Sequence, residues 1–258
     1  MSRSRPSGGK RCFVEETSPE RVPESGRAVL DGRPVRALLL DLDDTLIDRA
    51  AAFRRWLEDL IARHPAAFPA PAADLAALLA LDDGGRRDRR SFYEGLLARH
   101  EALVAAGFTP ERLQVDLGER LEVAVAPDPR VVAAVVRLRA RGLRLAVVTN
   151  GPSQLQRRKL ARSGVEAHLD AVVVSGEVGV SKPDPAIFVH ALAALDVAAA
   201  DAVMVGDDPR RDVVGGAAVG LRTVWVSRGA PWPQGPDFPP PTATIDETWQ
   251  LEAALSGP

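Results

Sequence analysis

The apolar run at residues 38–47, LLLDLDDTLI, breaks on Asp41, Asp43 and Asp44, and Thr45 follows at once. Val35 to Leu40 reads as a strand buried on both faces, where an ionised carboxylate placed directly after it costs several kcal/mol unless something compensates. Asp41, Asp43 and Asp44 therefore suggest a cation site. Asp41, at the strand tip, could serve as a nucleophile while Asp43, two residues on, handles protons. Acidic residues in such places also act as turn formers or helix caps, and an isolated DxD does not separate these readings.

Three further polar signals follow strand-like runs. Thr149-Asn150-Gly151-Pro152 comes after RLAVV, and a hydroxyl with exposed amides leading into a helix suits a phosphate, although such tripeptides are also ordinary turns. Ser181-Lys182-Pro183-Asp184-Pro185 places a lysine between prolines that restrict the backbone around it. Gly206-Asp207-Asp208-Pro209-Arg210-Arg211-Asp212 again ends a buried strand, AVMV, on carboxylates. A carboxylate nucleophile approaching a phosphate dianion meets about 4 kcal/mol of repulsion per charge pair at 4 Å in an effective dielectric of 20. Mg²⁺ held by Asp41 and Asp207, with Lys182 opposite, would cancel it. Asp43, close to other anions, is expected to have a raised pKa, as a general acid needs.

The elements that position these groups alternate as in a parallel sheet with crossover helices. Strands are expected at Val35–Leu40, Leu143–Val148, Ala171–Val174, Ala202–Val205, Thr223–Val226 and Thr244–Ile245. Helices are expected at Arg130–Arg141, Ser153–Ser163, Asp184–Leu195, Pro209–Val219 and Thr248–Leu255. About 100 residues separate the first two strands, far more than a crossover requires. Helical spacing of apolar residues at Ala50–Arg63, Ala72–Leu81, Arg89–Ala106 and Pro110–Val123 fills that gap. An all-helical insert rooted beside the first acidic cluster would lie over the carboxyl ends of the strands, where ligands bind, and could act as a lid.

Of the 258 residues, 46% are hydrophobic, enough for a sizeable core, and a formal charge of -2 gives no general field for nucleic acid. The single cysteine, Cys12, and the lack of a Cys/His cluster exclude an internal disulfide and a zinc site of that kind. No apolar stretch approaches the length of a membrane span, and a cytoplasmic setting is expected. Residues 1–34 read as a disordered leader. His64, His100, His168 and His190 lie outside the polar clusters and read as surface or helix-side residues. The arginine-rich stretch 86–90 reads as a solvated helix start; alternatively one of its arginines, or Phe53 or Trp56, reaches the substrate.

In order, DLDDTL, VVTNG, SKPDPAIF and VGDDPRRD resemble the four motifs of the haloacid dehalogenase superfamily, and the helical insert resembles its C1 cap. The resemblance runs from Val35 to the C-terminus. Within the superfamily, the chain resembles the phosphatase subgroup with N-acylneuraminate-9-phosphatase-like and pyrimidine 5′-nucleotidase-like members. It implies an α/β fold: a Rossmann-like core at 35–49 and 127–258, with the cap at 50–126. Carried over, it implies that Asp41 forms an aspartyl-phosphate, and that Asp43 protonates the leaving alcohol, activates water and offers its backbone carbonyl to Mg²⁺. It further implies that Thr45 supports Asp43, that Thr149, the Asn150 amide and Lys182 hold the phosphoryl group, and that Asp207 binds metal. Asp212 would orient a metal-bound water or Lys182; Asp208 is a supporting residue, at a place where many relatives have Ser or Thr. Dehalogenases of the superfamily lack an acid at the place of Asp43, so phosphoryl transfer from a small-molecule phosphate ester is expected. A phosphomutase, or a phosphate-ester-binding regulator without turnover, would use the same residues. The sequence sets no oligomeric state.

Overall fold

The computed structural model describes residues 28–85 and 87–256. Most of the expected leader, with Cys12, therefore lies outside the described residues. Its last part does not behave as a leader. Val29–Leu30 (β1) and Arg33–Pro34 (β2) pair antiparallel around a turn at Asp31 and Gly32, both at positive φ. The Arg222 guanidinium donates to the carbonyls of Leu30 and Arg33, both at 2.8 Å, and of Pro34 at 2.6 Å. Such short segments show no periodic apolar face, and the partner that orders them lies nearly 190 residues away along the chain.

The six expected strands form one parallel sheet: Ala37–Leu40 (β3), Arg144–Thr149 (β4), Ala171–Val174 (β5), Ala202–Gly206 (β6), Arg222–Val226 (β7) and Ala243–Ile245 (β8), in the order β5-β4-β3-β6-β7-β8. Period-two alternation sorts the central strands into two cores. Leu38, Leu40, Leu145, Val147, Val203 and Val205 pack on one face; Ala37, Leu39, Ala146, Val148, Ala202 and Met204 pack on the other. Fully burying one such leucine side chain contributes roughly 1.5–3 kcal/mol. The chain leaves β3 toward β4 on one side and reaches β6 on the other, so the crevice beyond the tip of β3 is the place where this kind of sheet collects ligands.

Between β3 and β4 stand Arg49–Arg63 (α1), Pro71–Asp82 (α2), Arg89–Arg99 (α3), Glu101–Ala105 (α4) and Pro110–Ala124 (α5), followed by Pro129–Ala140 (α6). Asp48 caps α1, accepting from the Ala51 amide at 2.8 Å. Phe53, Trp56, Leu57 and Leu60 fall at i, i+3, i+4 and i+7 and bury one face of α1. Phe53 and Trp56 stack against Phe92 and Tyr93 of α3, while the Trp56 indole donates to Asp116 of α5 at 2.9 Å. These contacts pack the helices of the insert against one another, in an apolar cluster continuous with that on the Leu38 face of the sheet. The single helix expected over Arg89–Ala106 breaks at His100, which is buried with Nδ1 3.0 Å from the Ala67 carbonyl oxygen.

The remaining helices are Ser153–Ser163 (α7), Ser175–Val178 (α8), Pro185–Leu195 (α9), Gly215–Ala218 (α10) and Leu251–Ala254 (α11). The helix expected at Pro209–Val219 opens instead as a π-helical segment, Pro209–Val214, before continuing as α10. Among the described residues no helix is long and apolar enough to cross a membrane.

Candidate active site

The Asp41 amide donates to the Val205 carbonyl at 2.9 Å, which carries the β3–β6 pairing one residue beyond the strand and fixes where the Asp41 carboxylate begins. Lys182 reaches it from the loop after α8. The ammonium, on a residue only 4% exposed, donates to Asp41 Oδ1 and, at 2.7 Å, to Asp212 Oδ1. The aim of Lys182 comes from Asn150. The Asn150 side chain donates to the Lys182 carbonyl at 2.9 Å and accepts from the Lys182 amide at 2.8 Å. The Asn150 side chain is thus a clamp between two strand-end loops, while the residue itself lines the cavity where a phosphoryl group is expected.

Asp212 sits against Gly206, where an added Cβ would lie 2.2 Å from the carboxylate. Its other oxygen accepts from the Asp208 amide at 3.0 Å. Asp208 caps the π-helical segment by accepting from the amides of Arg210 and Arg211 at 2.9 and 2.8 Å, so it has a local structural role. Asp44, at φ 59, accepts from the Ala50 amide at 3.1 Å and shapes the turn into α1. The Thr45 hydroxyl faces Asp207 Oδ1 at 3.5 Å, and its carbonyl accepts from Thr248 at 2.6 Å, so its side-chain contact among the described residues is with Asp207.

Asp43 is held by two residues that the motifs did not reveal. Lys159 donates to both of its oxygens at 2.8 Å, and Gln156 donates to Asp43 Oδ2 at 3.0 Å and to the Thr149 hydroxyl at 2.6 Å. Their spacing of three puts both on one face of α7. Burial pushes the Asp43 carboxyl up, but the Lys159 ammonium and the Gln156 amide outweigh it and hold the group below the usual carboxylate range. The raised value expected from like-charge crowding is thus corrected: the nearest charge is a cation. Replacing Lys159 by glutamine is expected to lower kcat/KM for phosphate esters by on the order of a hundred-fold through misplacement of Asp43, measured by steady-state kinetics; unchanged kinetics would show that the contact is incidental.

Asp41, Asp207 and Asp212 bring one carboxylate oxygen each within 4.8 Å of one another. Burial, together with the surrounding carboxylates, pushes Asp207 up to about 9. Burial also raises Asp41 to about 7, against the pull of Lys182 and with the push of Asp212 and Asp43. Lys182 is raised because Asp212 and Asp41 outweigh its own desolvation, so it remains an ammonium. Burial raises Asp212 too, against the pull of Lys182, and three converging hard oxygen donors, all holding protons above the usual carboxylate range, are the donor set a divalent cation such as Mg²⁺ suits. The folded-state values of Asp41 and Asp207 both lie above the unfolded value of 3.8, so from about pH 4 upward the folded chain binds more protons than the unfolded one and loses stability as pH rises, the Asp41 contribution levelling off above about 7 and the Asp207 contribution above about 9. Thermal melts in EDTA are expected to fall between about pH 6 and about pH 9, by roughly 2–4 °C per kcal/mol lost, and Mg²⁺ is expected to remove most of the decline. A flat profile in EDTA would contradict the charge crowding.

These groups line a cavity of about 220 Å³ with Thr149 on its core side and Arg49, Gly85 and Arg89 on its insert side. The family model of the haloacid dehalogenase-like hydrolases matches residues 35–220, the span that carries every one of these strand ends. This chain belongs to that family. The hydrolase is 38% identical to phosphoserine phosphatase of Thermus thermophilus, over 80% of this chain and 94% of that protein. It is 31% identical to human N-acylneuraminate-9-phosphatase, over 86% of this chain and 94% of that protein. Among solved structures, a haloacid dehalogenase-family phosphatase from Thermococcus onnurineus superimposes with a TM-score of 0.60 at 27% identity, covering 86% of this chain and 98% of that one. The fold is accordingly the family's: a Rossmann-like parallel sheet with an inserted helical cap.

Proposed function

We propose that this hydrolase is a Mg²⁺-dependent phosphomonoesterase acting on a small metabolite through an aspartyl-phosphate on Asp41, with residues 50–126 as the cap and 35–49 with 127–258 as the catalytic core. The observation that carries this reading is the second acid. Asp43 opens into the same cavity as Asp41, and a carboxyl there has a task only if the leaving atom needs a proton.

In this reading the Asp41 carboxylate attacks phosphorus, the bond from phosphorus to the ester oxygen breaks, and Asp43 delivers a proton to that oxygen. Asp43 then takes a proton from water as the water attacks phosphorus, which frees inorganic phosphate and restores Asp41. Lys182 holds Asp41 and offsets the charge of the phosphoryl oxygens, while Thr149 lines the place where they sit. Asp41, Asp207 and Asp212 would hold Mg²⁺, which when bound supplies charge neutralisation for the phosphoryl group. The Lys159–Asp43 ion pair matches the stage at which Asp43 must be a base. An incoming phosphate dianion offers Lys159 a competing anion, and release from Lys159 lets Asp43 take up the proton it donates in the first half of the cycle. The relatives named for phosphoserine and for N-acylneuraminate 9-phosphate support a phosphate ester of metabolite size.

The test is release of phosphate from p-nitrophenyl phosphate. Turnover is expected with Mg²⁺, to stop with EDTA and to return when Mg²⁺ is restored. No turnover of this ester or of a panel of sugar phosphates, nucleotides and phospho-acids would overturn the reading, as would turnover indifferent to EDTA.

A further inference from the structure

The cap side of the site holds two guanidinium groups on one carboxylate. Asp82, at the end of α2 and 3% exposed, accepts from Arg49 through both oxygens at 3.0 and 2.8 Å and from Arg89 through Oδ1 at 2.7 Å. One positive charge is therefore left over within this group, and its distribution is uneven. Arg49 engages both Asp82 oxygens, has a side chain 11% exposed, and is closed over by Gly85, where an added Cβ would lie 2.4 Å from its guanidinium carbon. Asp44 and Asp43 also lie within electrostatic reach of Arg49. Arg89 gives Asp82 a single hydrogen bond among the described residues, and its side chain is 30% exposed.

The centroid of the Phe53 ring lies 4.4 Å from the Arg89 guanidinium carbon and that of the Phe92 ring 5.9 Å from it, so the cation is seated against two aromatic side chains. Arg89 lines both the cavity over Asp41 and an adjoining one of about 350 Å³ between the cap and α7. Glu111, Glu119 and Arg158 line the rest of the adjoining cavity, and Arg89 stands where the two spaces meet, carrying there the positive charge left over from the Asp82 group.

We propose that Arg89 binds a carboxylate carried by the leaving group, so that the substrate is the phosphate monoester of a small hydroxy acid. This deepens the phosphatase reading above and rests on it. A guanidinium seated against aromatic rings, with one donor on Asp82, keeps its remaining N–H donors as a planar fork that matches a carboxylate in geometry and charge. A neutral leaving group seated there would cover those donors without pairing them.

The experiment compares substrates that differ in the carboxylate: O-phosphoserine against O-phosphoethanolamine, and phosphoglycolate against ethyl phosphate. The wild-type enzyme is expected to favour the carboxylate member of at least one pair by on the order of a hundred-fold in kcat/KM. Arg89→Gln is expected to bring that ratio to within a few-fold of one, and Arg89→Lys, a point charge without the fork, to restore part of it. The ratio within a pair is insensitive to a general loss of activity. A wild-type ratio near one in both pairs overturns the proposal even if the variants do not fold, and so does a ratio that survives in Arg89→Gln. Turnover of p-nitrophenyl phosphate separates the two readings: its presence with ratios near one removes only the carboxylate site, and absence of all turnover removes the phosphatase reading and this inference together.

Discussion

Asp41→Asn is expected to lose turnover of p-nitrophenyl phosphate by on the order of 10⁴-fold or more while melting no lower than the wild-type protein in EDTA. The first half follows from the chemistry, because an amide oxygen in place of the carboxylate cannot form the acyl-phosphate, and removing a nucleophile disables both halves of the cycle. The second half is a contest between two effects. Breaking a buried ion pair by deleting one partner is commonly destabilising by about 3–5 kcal/mol, because the other charge is left alone. Here Lys182 keeps Asp212 at 2.7 Å, so no buried cation is orphaned. What disappears is one of three converging carboxylates, a group that burial and its neighbours push up to about 7. Relief of repulsion therefore offsets the lost contact, most strongly above that pH. Activity within ten-fold of wild type would place the nucleophile elsewhere; a collapse of the melting temperature would show that the loss of activity is structural.

The division between what was and was not legible in the sequence follows the range of the interactions. DLDDTL, TNG, SKPDP and GDDPRRD each combine a buried run with its own polar terminus, and a parallel sheet collects strand termini at one edge, so local pattern sufficed to bring Asp41, Thr149, Lys182 and Asp207 together. Lys159 and Gln156 lie on a helix whose RRK stretch looks like a solvated face, and their partner Asp43 is more than 110 residues away in sequence. The only available signal was their spacing of three on a helix that begins at the TNG turn. Proximity in sequence points Thr45 toward Asp43, whereas the turn after β3 also brings its hydroxyl to 3.5 Å from Asp207 on β6's side of the crevice, a contact no local pattern signals. The hairpin at Val29–Pro34 was missed for a related reason: Arg222 supplies its order from β7. The arginine-rich start of α3 has the pattern of a solvated face, and Arg90, paired to Glu94 on the surface, fits it. The buried Asp82 and the Phe53 and Phe92 rings, all brought to it by the tertiary fold, distinguish Arg89 from the exposed Arg90.

Lys182→Met separates charge from packing more sharply than any other substitution in the site. Methionine has nearly the length and volume of lysine, so the buried channel stays filled. The cation that Asp41 and Asp212 share is lost, and both carboxylates are buried. Loss of a partner from such a pair costs about 3–5 kcal/mol, which for a chain of this length corresponds to a melting temperature lower by roughly 6–20 °C. Activity is expected to fall by on the order of 10³-fold, the scale for removing one preorganised donor to a developing oxyanion, with a further loss because Asp41 is no longer held. The pH dependence distinguishes this account from simple misfolding. Without Lys182 the two carboxylates are expected to take up protons more readily than in the wild type, since burial of an unpaired anion is the costlier option. The folded variant then binds more protons than its unfolded chain above the unfolded value, so its deficit in stability is smallest near about pH 5 and widens toward about pH 8. Melting curves of both proteins in EDTA across that interval provide the check. A deficit that is constant with pH would mean that Lys182 contributes through packing and not through its charge.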